Sequence, residues 1–181
     1  MIKLARIASF AAAAVATVGL AFSPVASANG PKGPTIVDVA LAANSPGGLF
    51  EGQLDTLITA VLSADPIVLD RLSGNGKLTV FAPTDDAFAE IGLTPENVGT
   101  LPTAFLTQVL LYHVARGERT AAAVVPAERI RMLAGGFLFK EAGSVTLVDN
   151  LGREANIIAT DVKAANGVIH AIDAVVLPVA P

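Results

Sequence analysis

The residues with the chemical character for catalysis are few and far apart in this 181-residue chain. His113 and His170 are its two histidines, and it has no cysteine. A structural zinc site takes four ligands, mostly Cys and His at short spacing, so the sequence predicts no metal site. No serine lies in a Gly-x-Ser-x-Gly sequence, and no glycine-rich loop has the spacing of a phosphate-binding loop. We therefore predict no catalytic residue and no cofactor.

Two adjacent carboxylates, Asp85 and Asp86, follow Thr84 and form the densest acidic group near an apolar segment. Neighbouring positions on a helix do not face one another. Glycosidase chemistry needs two carboxyl groups held roughly 5–9 Å apart, which this arrangement does not specify. Threonine followed by acids is instead typical of a helix start, where the hydroxyl caps an amide and the acids complement the dipole. The sequence thus favours structural roles for Thr84 and Asp85, and for two buried histidines.

The first 28 residues have the three parts of a secretory signal peptide. Lys3 and Arg6 are basic, an apolar segment runs from Ile7 to Phe22, and Ala26-Ser27-Ala28 fits the cleavage rule. The apolar segment is shorter than the ~20 residues that a spanning helix needs. We predict cleavage after Ala28, no membrane insertion afterwards, and a secreted or periplasmic protein.

The remaining chain has the length of one domain, with a flexible lead-in at residues 29–34 and a folded domain at 35–181. A domain of this size buries enough surface to be stable without disulfides. Loss of Lys3 and Arg6 with the signal peptide changes the formal charge from −4 to −6. This acidic balance argues against nucleic acid as a partner.

Helix signals dominate the first half of the domain. Thr35 with Asp38 predicts a capping box, and Asp65-Pro66 and Thr94-Pro95-Glu96 predict further helix starts. One amphipathic helix is predicted to face inward through Leu54, Leu57, Ile58, Val61 and Leu62. The second half predicts strands at residues 129–133, 137–141, 144–149, 154–161 and 167–177, separated by glycine turns. Helices followed by an antiparallel meander indicate an α+β fold.

Three ordered motifs carry a family resemblance. They are LTVFAPTDDAFAEI (Leu78–Ile91), the pair Tyr112-His113, and NGVIHAIDAVVLP (Asn166–Pro178). This set resembles the signature segments of the fasciclin domain. The resemblance implies a wedge of about seven mainly antiparallel strands, on which several helices from the N-terminal half are packed. Thr84, Asp85, Phe88, Ile169 and His170 belong to the structural motif, and the two outer segments are predicted to be core partners.

The resemblance also implies where a partner docks, at Tyr112-His113 and at Asp161-Val162. We expect Asp161 to be accessible at a turn; the alternative is a structural role, as core packing for Tyr112 and as a turn cap for Asp161. Fasciclin domains are adhesion and binding modules. The implied function is a secreted non-catalytic module for cell adhesion, or for contact with a surface or matrix polysaccharide or protein. Two alternatives stay open: a periplasmic module for a small molecule or lipid, and a hydrolase.

Overall fold

The structure, a computed structural model, describes residues 31–140 and 143–178. The predicted signal peptide therefore lies outside the described residues. The helices are α1 (Ile36–Asn44), α2 (Asp55–Ser63), α3 (Pro66–Ser73), α4 (Asp85–Ala89), α5 (Thr103–Tyr112) and α6 (Ala121–Val124). The strands are β1 (Leu78–Pro83), β2 (Val114–Arg116), β3 (Arg129–Arg131), β4 (Phe137–Lys140), β5 (Thr146–Val148), β6 (Glu154–Ala164) and β7 (Gly167–Ile172). The predicted α+β class is confirmed.

The seven strands form one sheet in the order β2-β1-β7-β6-β5-β4-β3. All neighbours are antiparallel except β1 and β7, which run parallel with Val80 beside Ile169 and Phe81 beside His170. The two edge strands approach each other through a bridge between Ala115 and Met132. The sheet is therefore nearly closed into a barrel.

The parallel pair β1–β7 lies at the centre of the fold. Every residue of both strands is buried, so both faces of the pair are covered. Val80 faces a cluster formed with the helices, whereas Phe81 faces a second cluster built by the later strands. The register begins at Gly167, where a Cβ atom would overlap the carbonyl oxygen of Leu78. The prediction that the two outer motifs are core partners is confirmed.

Most of the predicted helix starts are correct. The Thr35 hydroxyl accepts the Asp38 amide and the Asp38 carboxylate accepts the Thr35 amide, which completes the capping box before α1. Asp65 caps α3 through the Ile67 amide at 2.9 Å. The lead-in is tied down at its end, because the Pro34 carbonyl accepts the amide of Ala165.

The helix start predicted at Thr94-Pro95-Glu96 is wrong. The Asn97 side chain accepts the Thr94 amide and donates to the Gly92 carbonyl, which closes a turn at this point. A 3₁₀ turn at Val98–Thr100 follows, and α5 begins only at Thr103, after Pro102. The amides of Asn97 and Val98 donate to the Thr94 carbonyl, so one helical turn forms at the Thr-Pro-Glu pattern but does not continue into a helix.

The last predicted strand is too long, since β7 ends at Ile172. The buried segment beyond it gives its amides to side chains instead of a neighbouring strand. Val176 donates to His113 Nε2 at 3.3 Å, and Leu177 donates to the buried Asp149 carboxylate at 3.1 Å. An apolar run that looks like a strand is here a segment held by side-chain acceptors.

Candidate binding site

Tyr112, predicted as a docking residue, ends α5 with its side chain fully buried. Its hydroxyl donates to the Phe137 carbonyl at 2.7 Å, and burial raises the pKa of the phenol. The ring belongs to the core cluster behind β1 together with Phe81 and Ile172. The docking position implied for Tyr112 is therefore not at the surface, and the alternative of core packing describes its burial.

His113 is also buried, with 2% of its surface exposed. Its Nδ1–H donates to the Val109 carbonyl at 2.8 Å, and its Nε2 accepts the Val176 amide at 3.3 Å. This pairing fixes the neutral tautomer with the proton on Nδ1. Burial lowers the pKa of the imidazole to about 4, so the ring stays uncharged at neutral pH. His113 joins α5 to the C-terminal segment and offers no surface to a partner.

His170 has the opposite tautomer and, like His113, joins two backbone segments through its ring nitrogens. Its Nε2–H donates to the Arg119 carbonyl at 2.8 Å, while its Nδ1 accepts the Asp161 amide at 3.3 Å. The ring is fully buried and stacks on Phe81 with 5.7 Å between the ring centroids. A single imidazole therefore fixes the backbone of β6 on one side and the loop after β2 on the other.

Asp161 does not lie at a turn, which corrects the expectation from the sequence. It lies inside β6 at a bulge, where the pairing with β7 shifts between Ala159 and Val162. Its φ of 60° is the one positive φ of a non-glycine residue among the described residues. The half-buried side chain accepts the Ala121 amide at 2.9 Å through Oδ1 and so caps α6. Its Oδ2 accepts no hydrogen bond within the described part of the chain.

Val162 follows the bulge and pairs with Ile169 on β7. It is half-buried and packs against the helix-side core, so its side chain contributes to core packing more than to the protein surface. Of the four predicted docking residues, only Asp161 presents an unused polar atom. The structure nonetheless connects the two predicted points, because Phe81 stacks on His170 and donates its amide to the His113 carbonyl at 2.9 Å.

The acidic pair after β1 has a structural use that the sequence only partly indicated. Thr84 caps α4 by accepting the Ala87 amide at 3.5 Å. Asp85 reaches back to α2, where its carboxylate accepts the amides of Asp55 and Thr56 at 3.2 and 2.8 Å. The residue before α2, Leu54, has no capping side chain of its own, so Asp85 caps a helix thirty positions earlier in the chain.

An apolar cavity of about 150 Å³ lies between α1, α2, α3 and the sheet. Its lining is apolar apart from His113, whose two ring nitrogens already have backbone partners. Leu62 lies at this cavity and is 70% exposed, so the predicted inward position of this residue is wrong. Leu41 of α1, also at the cavity, is 46% exposed.

Sequence reasoning missed another cavity, of about 430 Å³, where the two edge strands meet. Arg116, Arg119 and Arg131 line it with Met132, Leu133 and Gly135; we call this set the arginine pocket. Arg116 and Arg131 are exposed, and Arg119 is half-buried. The pairs Arg116/Arg119 and Arg129/Arg131 were visible in the sequence, but their meeting depends on the bridge between Ala115 and Met132.

Within residues 31–140 and 143–178, no group of three or more His, Cys, Asp or Glu side chains is placed to hold a metal ion. No helix in the same residues has the length and apolarity to cross a bilayer.

Comparisons with known proteins agree with this architecture. The sequence pattern of the fasciclin domain matches residues 52–178. The chain is 39% identical over 151 residues to protein sll1483 of a Synechocystis species, covering 80% of this chain and 73% of that protein. It is 32% identical over 188 residues to immunogenic protein MPB70 of Mycobacterium bovis, covering 94% of each.

A solved structure of similar fold is the FAS1 domain pair from the insect cell adhesion molecule Fasciclin I. The TM-score is 0.53 at 20% identity, and the match covers 69% of this chain but 45% of that chain. This likeness bears on the fold alone. The match to the family pattern, which extends over more than half of the sequence, carries the assignment: the chain belongs to the fasciclin domain family.

Proposed function

We propose that this protein is a secreted or periplasmic, non-catalytic binding module that mediates adhesion to a surface or matrix polysaccharide or protein. The proposal rests on one observation: the side chains that could act in catalysis, His113, His170 and Asp85, are already hydrogen-bonded to the backbone. The ring nitrogens of His113 and His170 are all engaged with backbone groups. The Asp85 carboxylate is engaged with two helix amides. A hydrolase needs a base within reach of a nucleophile, and these contacts leave none of the three groups for that role.

Family membership supports the adhesive part of the proposal. Fasciclin domains, as the resemblance implied, are adhesion and binding modules, and the pattern of this domain matches residues 52–178. A binding module also needs a rigid accessible surface, because ordering a loose surface on association lowers affinity. The bulge at Asp161 meets this need, since it is held by His170 below and by the amide of Ala121 beside it.

Asp161 is the residue we propose for direct partner contact. Its Oδ2 atom is open to a hydroxyl or amide donor, while Oδ1 is occupied by Ala121. Tyr112 and His113, which were implied as docking residues, act from inside: Tyr112 holds β4 through the Phe137 carbonyl, and His113 holds the C-terminal segment through the Val176 amide. Val162 contributes the strand pairing that shapes the bulge.

The test compares Asp161→Asn with wild-type protein of residues 29–181 on glycan and matrix-protein arrays. Asparagine tolerates a positive φ and keeps an oxygen for the Ala121 amide, so the thermal midpoint should stay within about 2 °C of wild type. Loss of the charge should weaken attachment by about fivefold or more, as expected for a charged hydrogen bond. Asp86→Asn removes an exposed carboxylate elsewhere and is the matched control. Attachment that is equal in wild type and Asp161→Asn contradicts the assignment of Asp161.

A second candidate function is favoured by the apolar cavity between α1, α2, α3 and the sheet. A cavity of about 150 Å³ lined by aliphatic side chains and His113 has room for a benzene-sized apolar group. The exposed Leu41 and Leu62 extend its apolar surface outward. A periplasmic carrier for the hydrocarbon part of a small molecule or lipid would use such a site.

Titration with a fluorescent fatty acid tests this candidate. Ala40 lines the cavity, so Ala40→Phe should fill it and abolish binding. Ala89→Phe adds the same volume at an exposed position of α4 and should leave binding unchanged. Equal binding by both variants, or no binding by wild type, rules out this function for the cavity.

A further inference from the structure

The arginine pocket forms where the sheet nearly closes. Ala115 of β2 forms a bridge with Met132, and Leu133 donates its amide to the Val114 carbonyl at 2.7 Å. Arg116 directly follows Ala115 and Arg131 directly precedes Met132. The two side chains therefore flank the bridge, one from each edge of the sheet, and both line the same cavity.

The backbone of the third arginine, Arg119, is held by two buried side chains. Its amide donates to the Thr79 hydroxyl at 2.8 Å, and its carbonyl accepts His170 Nε2–H at 2.8 Å. Thr79 and His170 are both fully buried, which fixes the backbone of Arg119 at the pocket. The Nε atom of Arg119 is buried and has no hydrogen-bond partner among the described residues. Buried donors are almost always satisfied, so this atom indicates a missing acceptor.

None of the three guanidinium groups forms an ion pair or hydrogen bond within residues 31–140 and 143–178. Three other cations of the chain have partners, whereas the exposed Lys32, Arg71 and Lys163 have none among the described residues. Lys77 pairs with Glu118 at 2.9 Å, Arg153 pairs with Asp149 at 2.6 Å, and Arg129 stacks on Phe137 at 5.1 Å. Three positive charges with no carboxylate in the lining of their cavity repel one another unless an anion lies between them.

We infer that the arginine pocket binds the carboxylates of an acidic polysaccharide, one bearing uronic acid residues. The guanidinium fork matches a planar carboxylate in two parallel hydrogen bonds. The volume of about 430 Å³ lies in the range of small-molecule sites and exceeds the size of a free carboxylate. The half-buried Leu133 in the lining supplies apolar surface for the C–H face of a sugar ring.

The negative charge of the rest of the chain favours an acidic polysaccharide over polyanions of higher charge density, such as nucleic acid. With the predicted signal peptide removed, the formal charge is −6, so attraction is confined to this patch. A small positive patch can bind a polysaccharide that carries one charge per sugar. Nucleic acid carries charge continuously along its backbone, so the acidic rest of the protein surface would repel it. The choice of a polysaccharide rests on the adhesive function proposed above; the presence of an oxyanion site does not.

The experiment measures binding of an oligogalacturonate to protein of residues 29–181 by calorimetry, beside its methyl-esterified form of equal length. We expect binding of the free acid only, weakening as salt is raised. The double variant Arg116→Gln/Arg131→Gln should lose about tenfold or more in affinity, as two charged hydrogen-bonding groups are removed. Arg119→Lys should also weaken binding with an unchanged thermal midpoint, because lysine keeps the charge and loses the fork.

Arg129→Gln/Lys163→Gln is the matched control, because it removes the same net charge from exposed strand positions outside the pocket. It should retain affinity within about twofold. Equal binding of the methyl ester, an equal loss in the control pair, or tighter binding of a DNA oligonucleotide overturns the inference. If cells expressing the protein fail to attach to any surface while oligogalacturonate still binds through the arginines, the adhesive function is wrong and the oxyanion site stands.

Discussion

The imidazole of His113 accepts the backbone amide of Val176 at 3.3 Å and thereby attaches the end of α5 to the C-terminal segment. The other ring nitrogen donates to Val109 within α5 at 2.8 Å. Protonation of Nε2 would remove the acceptor for Val176 and place a charge among buried groups. The fold therefore depends on the neutral form of this residue.

The stability of the protein should fall as the pH falls below about 6.5, the usual pKa of histidine in an unfolded chain. Burial lowers the pKa of folded His113 to about 4, so the unfolded state binds a proton first. The stabilisation is complete above the unfolded pKa and is lost as the pH decreases toward the folded value. The full shift corresponds to roughly 3 kcal/mol.

Urea denaturation at a series of pH values between about 7.5 and 4.5 measures this loss. His113→Gln cannot titrate at this position, so its free energy of unfolding should be lower overall and depend less on pH in the same window. An equal pH dependence of both proteins would place the titrating group elsewhere.

Asp85→Ala should lower the free energy of unfolding by about 1 kcal/mol, the usual effect of removing a helix cap. The carboxylate holds the Asp55 and Thr56 amides at the start of α2, and alanine leaves both without this acceptor. Asp86→Ala is the control on the next residue, where the exposed side chain should contribute no more than about 0.5 kcal/mol. If chemical denaturation gives the same loss of unfolding free energy for both variants, the loss comes from removing negative charge near α4 and not from uncapping α2.

Ile169→Ala should destabilise the protein by about 2–4 kcal/mol through lost burial and the cavity left behind. Ile169 is 2% exposed and lies beside Val80 in the central strand pair. Ile158→Ala, on the neighbouring β6, removes a side chain that is 53% exposed and should change stability by less than about 0.5 kcal/mol. A small effect at Ile169 would mean that the β1–β7 pair is peripheral to the core.

The exported protein should begin at Asn29, because Ala26-Ser27-Ala28 satisfies the rule for signal-peptide cleavage. Intact-mass spectrometry of protein from the periplasm and from the culture medium checks both the site and the compartment. Intact protein that begins at Met1 and remains in the membrane fraction contradicts cleavage.

The sequence predicted those parts of the fold whose signals are local. Thr35 and Asp65 cap helices as expected, since capping depends on the residues that follow within one turn. The apolar alternation of the two outer motifs predicted two buried segments in mutual contact, but not that they pair as parallel strands. By contrast, β2 has three residues and α6 has four, too few for a periodic pattern to show either.

The candidate site was less predictable because long-range contacts create it. The bulge at Asp161 depends on how β6 registers against β7, and its neighbours there are His170 and Ala121. Tyr112 was implied as a docking residue by the resemblance, yet its hydroxyl donates to the Phe137 carbonyl inside the protein. The arginine pocket needs Arg116 and Arg131 to meet across a sheet that has almost closed, which no local pattern encodes.

The near closure of the sheet also limits how another chain can attach. Exposed strand edges invite pairing with further strands, which is a route to recognition and to aggregation alike. Here both edge strands have three residues, and the bridge between Ala115 and Met132 turns them toward each other. Little unpaired backbone is left for a visiting strand on β2 or β3. Strand addition at β2 or β3 is therefore disfavoured, both for a partner chain and between crowded copies of the protein.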